Sequence, residues 1–489
     1  MKIAYVSYEV SPFAKAGGLA DVAAALPKYI KNAGEEIYVI MPFHKNIENN
    51  FNTSKFEVVK TDLIPDSHTH KSPFSVYKSY LEGSSVVIYF IKTDYLYDSK
   101  NIYDSKNIYD EENIFLKTSY FCDSALKTIK ECEPDTNVIN INDWHTSLIP
   151  VYLKTHYLQD NILKKIATIL TIHNIGYQGL FNPDVLNQAG LPNYLFNINA
   201  LEYYGKVNVL KGGILFSNII NTVSPTYAKE IQSEEYGYGL EGILKVRSED
   251  LFGILNGIDY SIYDPLKDPH IFHPIESYED KLKNKTSLQE YLGLTKDENI
   301  TLISFIGRLF EQKGIDLISK IMDLLLLNDI QFVLLGTGDK KYEEYFATLT
   351  KLYPKKISIN ITFDVDLAQK IYAGSDIFLM PSKYEPCGLG QMYSMRYGTV
   401  PVVRYTGGLK DTVSEYNSKD KKGTGFGFHE YKEADLLYTL MKAIYFHQKR
   451  KDDWTNIFEN CMKEDFSYEK TAKKYIELYK IALDKKRGY

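Results

Sequence analysis

Short apolar runs alternate with helical patterns through almost the whole 489-residue chain, and that alternation leaves few folds open. In the first half the strand-like runs are Lys2–Val10, Glu36–Pro42, Val86–Ile91, Val138–Asn142, Ala167–His173 and Ile219–Ser224. A second series follows at Thr301–Gly307, Gln331–Gly336, Ile357–Phe363, Ile377–Pro381 and Val400–Arg404. Strands separated by helices predict an α/β chain with a parallel, doubly wound sheet in each half. Length agrees, because a chain of this size exceeds one ordinary core. Between the series, Gly253–Asp259 leads into Tyr263-Asp264-Pro265, with the Gly, Asn and Pro of a bend between domains. The predicted organisation is a Rossmann-like domain over residues 1–250 and a second over 251–465, facing each other across a cleft. The tail from Trp454 to Leu483 is helical in pattern, and residues 466–489 are expected to pack back on the first domain.

Composition narrows the partners. A net charge of −6 argues against a nucleic-acid footprint, which calls for a basic face. No apolar run approaches the roughly 18 residues of a membrane helix. The N-terminus enters a strand at once, without a secretory n-region and h-region. Cys122, Cys132, Cys387 and Cys461 fall in no metal-binding or CxxC spacing and read as reduced thiols of a cytoplasmic protein. The 41 tyrosines have no evident function at this level. Tyr97–Ile102 recurs as Tyr103–Ile108 and loosely as Tyr109–Ile114. Solenoids need periods of about 20 residues or more, so these hexads read as a surface-loop expansion.

Ligands of doubly wound sheets sit beyond the carboxyl ends of the strands, and the polar motifs gather there. Lys15-Ala16-Gly17-Gly18 follows the first strand and opens an amphipathic helix with Leu19, Val22, Ala23, Leu26 and Ile30 on one face. A helix N-terminus attracts anions, and glycines let the backbone approach a ligand; the pair can equally serve a tight turn. Asn142–His145, His173–Gly179 and Ser224–Tyr227 mark three further strand ends. In the second half, Arg308 and Lys313 flank a strand end just before a helix. There a planar fork and a point charge can grip one diphosphate, or they are two surface cations. Glu385-Pro386-Cys387-Gly388-Leu389-Gly390 precedes a helix expected over Gln391–Tyr397, whose free N–H groups can meet phosphate oxygens. Glu385 either accepts from sugar hydroxyls or bonds to its own helix N-terminus. Cys387 has no His placed to activate it as a nucleophile. Thr406–Asp411 repeats the glycine-pair pattern of the opening loop.

These motifs, in this order and nearly end to end, resemble the bacterial glycogen synthases and plant starch synthases, ADP-glucose-using glucan synthases of the GT-B glycosyltransferase fold. The resemblance implies a catalytic set of Lys15, Asp143, His173, Arg308, Lys313 and Glu385. It implies donor contacts from Lys15, Gly17, Gly18, Asn174, Asn256, Arg308, Lys313, Phe363, Cys387, Gly388, Leu389 and Gly390. Phe363 falls where the family stacks an aromatic ring near the adenine, and Asp143 and Tyr97 fall on the acceptor side. Two positions depart from the family pattern. Ala16 replaces a common threonine, and Gly390 stands where threonine is usual, so a hydroxyl contact to phosphate is lost.

The implied reaction moves glucose from ADP-glucose to the 4-OH at the non-reducing end of an α-1,4-glucan, with retention and without cofactor or metal. No carboxylate pair of the kind retaining hydrolases use is obvious in the sequence. A related GT-B transferase using UDP-glucose or another nucleotide sugar is the alternative. An NAD-dependent oxidoreductase would need GxGxxG after a first strand, which neither Gly17-Gly18 nor Gly336-Thr337-Gly338 completes. A catalytically dead glucan-binding protein is disfavoured by the intact charged set. The sequence leaves the oligomeric state open.

Overall fold

The computed structural model describes residues 1–97, with only the backbone of Tyr97, and 113–488. Most of the hexad repeat therefore lies outside the described residues. The chain forms two compact units. The first comprises 1–223, 228–257 and 468–489, and the second 224–227 and 258–467.

Unit 1 is built on a nine-stranded sheet. Its order is Leu251–Gly253, Ile219–Thr222, Ala167–Ile172, Val138–Asn142, Lys2–Val6, Glu36–Pro42, Val87–Lys92, Phe74–Tyr80, Glu57–Leu63. The first seven pair in parallel. The last two are antiparallel, which corrects the all-parallel expectation. Glu57–Leu63 is largely exposed, Phe74–Tyr80 buries only Phe74 and Val76, and the outer pairing is bulged, so neither carries a buried apolar run to betray it. The first strand ends at Val6 rather than Val10, and the chain then loops back before the helix Gly18–Asn32. That helix buries Leu19, Val22, Ala23, Leu26 and Ile30, the face its spacing predicts.

The C-terminal helix, Tyr468–Arg487, belongs to this unit. Buried Tyr475 accepts from Asn221 Nδ2 at 3.0 Å, and buried Tyr479 donates to Asn140 Oδ1 at 3.0 Å, so two sheet strands are tied to it. The helical tail is not continuous. Lys451–Lys463 is a separate helix and counts with unit 2.

Unit 2 has six parallel strands in the order Ile357–Asn360, Ile330–Leu335, Thr301–Ile306, Ile377–Met380, Val400–Arg404, Phe426–Phe428. The central strands are buried along their length. Each wholly buried Ile, Leu or Phe there contributes about 1.5–3 kcal/mol. The strand expected to reach Phe363 stops at Asn360, and Asp364 then caps the helix Val365–Gly374 by accepting from Leu367 N at 2.9 Å.

Among the parallel strands of each sheet the order reverses once. The reversal lies between Lys2–Val6 and Val138–Asn142 in unit 1, and between Thr301–Ile306 and Ile377–Met380 in unit 2. Such reversals open a crevice at the carboxyl ends of the strands.

Candidate functional site

At the unit 1 reversal, one side chain links three strand ends. Asn142 Nδ2 donates to Val6 O at 3.0 Å, which fixes Oδ1 as the acceptor for Tyr5 Oη at 3.1 Å and His173 Nε2 at 3.0 Å. His173 therefore carries its hydrogen on Nε2 and keeps Nδ1 as an acceptor. Burial pushes its pKa down to about 3, so the ring is neutral at working pH. Asp143 follows with a left-handed backbone (φ 53°) and accepts from His173 N at 2.7 Å and Asn174 N at 3.4 Å. Lys15 pairs with Asp21 at 2.7 Å, one turn into the helix it precedes. Gly17 caps that helix in an extended conformation any residue can adopt, and Gly17 and Gly18 are both exposed. A Cβ at Gly17 would meet only Glu9 Oε1, at 3.8 Å. The tight-turn explanation of Gly17 therefore has no support; what the glycine leaves is open backbone.

The loop is held by Glu9, which sequence reasoning passed over as part of a strand. Its Oε2 accepts from Ala16 N at 2.5 Å and Gly17 N at 3.2 Å. Only the return of the chain after Val6 brings it there, and no motif announces that. Burial raises Glu9 to about 7 against the two amides, and the charges of Asp143 and Asp21 add to the rise. Burial likewise raises Asp143 to about 7 against its two amides. Glu9 and Asp143 are thus a pair of carboxyls that titrate near neutrality, with the Asp143 charge acting on Glu9. Both folded values lie above the ordinary 4.5 and 3.8. The folded state therefore binds more protons than the unfolded one between those values and neutrality, and stability falls as pH rises through 7. Unit 1 is expected to melt at lower temperature at pH 8 than at pH 6, with a smaller difference in Glu9→Gln. An unchanged difference in that variant would remove Glu9 from the pair. Asn256 completes the unit 1 set, with a buried Oδ1 that has no hydrogen-bond partner among the described residues. The side chain of Tyr97 lies outside the described part.

At the unit 2 reversal, Lys313 Nζ lies 2.6 Å from Glu385 Oε2, and Ser382 Oγ donates to the same oxygen at 3.1 Å. Glu385 is thus tied to the neighbouring strand end rather than to its own helix N-terminus. Lys383 N donates to Gln312 O at 2.9 Å, locking the two loops together. Arg308 is exposed and meets no carboxylate among the described residues; its Nη2 lies 3.5 Å from Gln312 Oε1. The helix after Glu385 spans Gly390–Arg396. Cys387 is buried, and Gly388, Leu389 and Gly390 are half-buried at the entrance to that helix. The glycine pair Gly407-Gly408 has a packing role. Its Cβ atoms would lie 2.0 Å from Glu385 O and 2.0 Å from Cys387 O, so only glycine lets this segment close on the Glu385 loop. Phe363 is 78% exposed, a free ring face past its strand.

Among the described residues no group of three or more His, Cys, Asp or Glu is placed to hold a metal ion, and no helix is long and apolar enough to cross a membrane. No disulfide forms among them.

Comparison with known proteins adds to this geometry. Residues 2–246 match the profile described as starch synthase catalytic domain, and residues 289–457 that of glycosyl transferases group 1. The glycogen synthase of Petrotoga mobilis is 96% identical over 489 residues, covering 100% of both chains. That of Thermotoga maritima is 51% identical over 489 residues, covering 99% of each. Among solved structures, the catalytic domain of starch synthase IV from Arabidopsis thaliana, bound to ADP and acarbose, superposes with a TM-score of 0.88 at 30% identity over 99% of both chains. Sucrose-phosphate synthase from Thermosynechococcus elongatus, at 16% identity over 98% of both chains and TM-score 0.60, shares the fold.

Proposed function

We propose that this chain, which belongs to the glycogen and starch synthase family of glycosyltransferases, transfers glucose with retention from ADP-glucose to the 4-OH at the non-reducing end of an α-1,4-glucan. Its fold is the GT-B class of α/β chain, with a Rossmann-like sheet in each unit. The observation that carries the reading is the charge arrangement at the unit 2 reversal. A lysine sharing its charge with a buried glutamate stands beside an arginine with no acid partner among the described residues. Such a site can take two negative charges at the end of a strand pair.

In this reading Arg308 and Lys313 hold the diphosphate, and Glu385 keeps Lys313 aimed while its free oxygen accepts from glucosyl hydroxyls. Phe363 offers its ring to the adenine, and the backbone from Cys387 to Gly390 meets phosphate oxygens. On unit 1, Lys15, Gly17 and Gly18 approach the distal phosphate and sugar. His173 Nδ1 accepts a sugar hydroxyl, and Asn174 and Asn256 Oδ1 hold the donor. Asp143 and Tyr97 belong to the acceptor side. The bond from the anomeric carbon to phosphate breaks, the bond to the acceptor O4 forms on the same face, and the 4-OH proton passes to the departing phosphate. Negative charge grows on ADP, so fixed cations there supply much of the rate. The reaction is placed in the cytoplasm.

The test is a panel of nucleotide sugars with maltooligosaccharide acceptors, with the product linkage checked. ADP-glucose giving α-1,4-linked extension supports the proposal, and preference for UDP-glucose overturns the donor assignment. A second expectation separates the two ends of the donor. Lys15→Ala should raise the KM for ADP-glucose more than the Kd for ADP, as measured by calorimetry. Equal losses would make Lys15 an ordinary nucleotide contact.

A further inference from the structure

Unit 1 holds a cleft of about 710 Å³ at the amino ends of its strands, the sheet edge away from His173 and Asp143. Lys164 and Lys165 line it from the segment before Ala167–Ile172, and Lys486 and Arg487 from the end of the helix Tyr468–Arg487. The one acid in its wall among the described residues, Asp135, is engaged by Lys2 Nζ at 2.8 Å. Asp160, just before the lysine segment, is engaged by Lys130 Nζ at 2.8 Å. None of the four cations meets a carboxylate among the described residues.

Lys486 is the position that packing does not explain. Counting from Tyr479, which donates to Asn140 in the sheet, Leu483 and Lys486 follow at steps of four and three and continue the sheet-facing stripe. An apolar residue is the ordinary occupant of such a stripe. Burial pulls the Lys486 pKa down, and the charge of Lys154 adds to the fall. A basic last turn complements the helix dipole, and Lys485 pairs with Asp250. Neither accounts for a lysine on the packed face, in one cleft with two lysines from another segment. Neutral donors complete the wall. Asn137 Oδ1 accepts from Lys2 N at 2.8 Å and Asn161 Oδ1 from Lys164 Nζ at 3.1 Å, so both amide nitrogens remain as donors.

We propose that this cleft binds a phosphoryl group carried on a sugar or a nucleoside, at a site made wholly of unit 1 residues and separate from the diphosphate grips of unit 2. A phosphoryl dianion supplies the counter-charge that the four cations lack, and the fork of Arg487 with the lysine ammonium groups matches its oxygens. The volume falls within the range of small-molecule pockets, about 300–1,000 Å³, and exceeds what a bare phosphate fills. Pro134, Ile162 and Leu483 give the carrier an apolar wall.

The test is calorimetric titration of the full chain with inorganic phosphate, ribose 5-phosphate and AMP at fixed ionic strength. An Arg308→Ala parent is used, so that the unit 2 grips are weakened. Saturable binding of a carried phosphate, tighter than that of inorganic phosphate, is expected. AMP binding tighter than ribose 5-phosphate makes the carrier a nucleoside; AMP binding no tighter makes it a sugar. Lys165→Gln combined with Lys486→Gln should weaken that binding at least about tenfold. The same variant should melt no lower than the parent in phosphate-free buffer, because a half-buried charge and its repulsion are gone. Lys485→Gln, in the same helical turn but outside the cleft, should bind as the parent does. Inorganic phosphate binding as tightly as both organic phosphates overturns the carrier, and no saturable binding overturns the site. Parent-like affinity in the double variant overturns it too, and a lowered melting temperature there would return Lys486 to the helix dipole. An equal loss in Lys485→Gln would show a diffuse field in place of a site.

Discussion

Replacing Lys313 with alanine is expected to lower turnover by roughly 10²–10³, the usual cost of one donor aimed at developing charge. The ammonium sits 2.6 Å from Glu385 at the point where the sheet order of unit 2 reverses, so its position is fixed before any donor arrives. Its removal has a second consequence. Glu385 is 5% exposed and would keep only the Ser382 hydroxyl on that oxygen, leaving a buried carboxylate without its counter-charge. Lys313→Ala should therefore lose stability as well as rate. Arg308→Ala separates the two effects. That guanidinium is exposed with no acid partner among the described residues, so its loss should lower kcat at least about tenfold with the melting temperature unmoved. Steady-state rates beside thermal melts decide the matter. Near-normal turnover in either folded variant would return both residues to the status of surface cations.

The polar set was legible in the sequence because strand ends are. Apolar runs fix where Thr301–Ile306 and Ile377–Met380 stop, and whatever polar residues come next must lie at the carboxyl edge. Arg308, Lys313, Glu385, Asp143 and His173 are all found this way. What escaped depends on contacts between distant segments. Glu9 looks like a strand residue until the chain is seen to turn back at Val6 and lay it under Ala16 and Gly17. Gly407 and Gly408 mimic the opening loop in sequence, yet their absent side chains serve the approach of the Glu385 loop. The antiparallel edge strands Phe74–Tyr80 and Glu57–Leu63 were missed because one face of each is wet, so neither reads as a buried run.

Asp376→Asn is expected to destabilise unit 2 by about 3–5 kcal/mol, the cost of stranding a buried charge. Asp376 lies just before the strand Ile377–Met380, with its carboxylate 2.6 Å from Lys285 Nζ; these side chains are 2% and 1% exposed. It also accepts from Leu302 N at 2.8 Å and faces His447 Nε2 at 3.2 Å. Burial pushes the acid up, but His447, Lys285 and the Leu302 amide outweigh it and hold the carboxyl well below its usual range. Burial also pulls His447 down, and Lys285 Nζ is the nearer partner of the carboxylate, at 2.6 Å. Because the folded pKa is depressed, this stability is present above the ordinary value of 3.8 and is lost as pH falls toward the folded one. Asparagine keeps the shape and can still accept from Leu302 N, so the substitution removes charge and little else. The reporter is built in. Trp454 is buried against His447, with ring centroids 5.1 Å apart, and Trp144 is the other tryptophan of the chain. Denaturant unfolding followed by Trp454 fluorescence in a Trp144→Phe background therefore reads unit 2. Adding Lys285→Met should recover most of the loss, because it removes the stranded ammonium from a site that accepts an apolar chain. A loss below about 1 kcal/mol, the worth of one ordinary hydrogen bond, would show that the charge of Asp376 does not hold this sheet edge. A double variant no more stable than Asp376→Asn would place the cost in the hydrogen bond from Leu302 N rather than in Lys285.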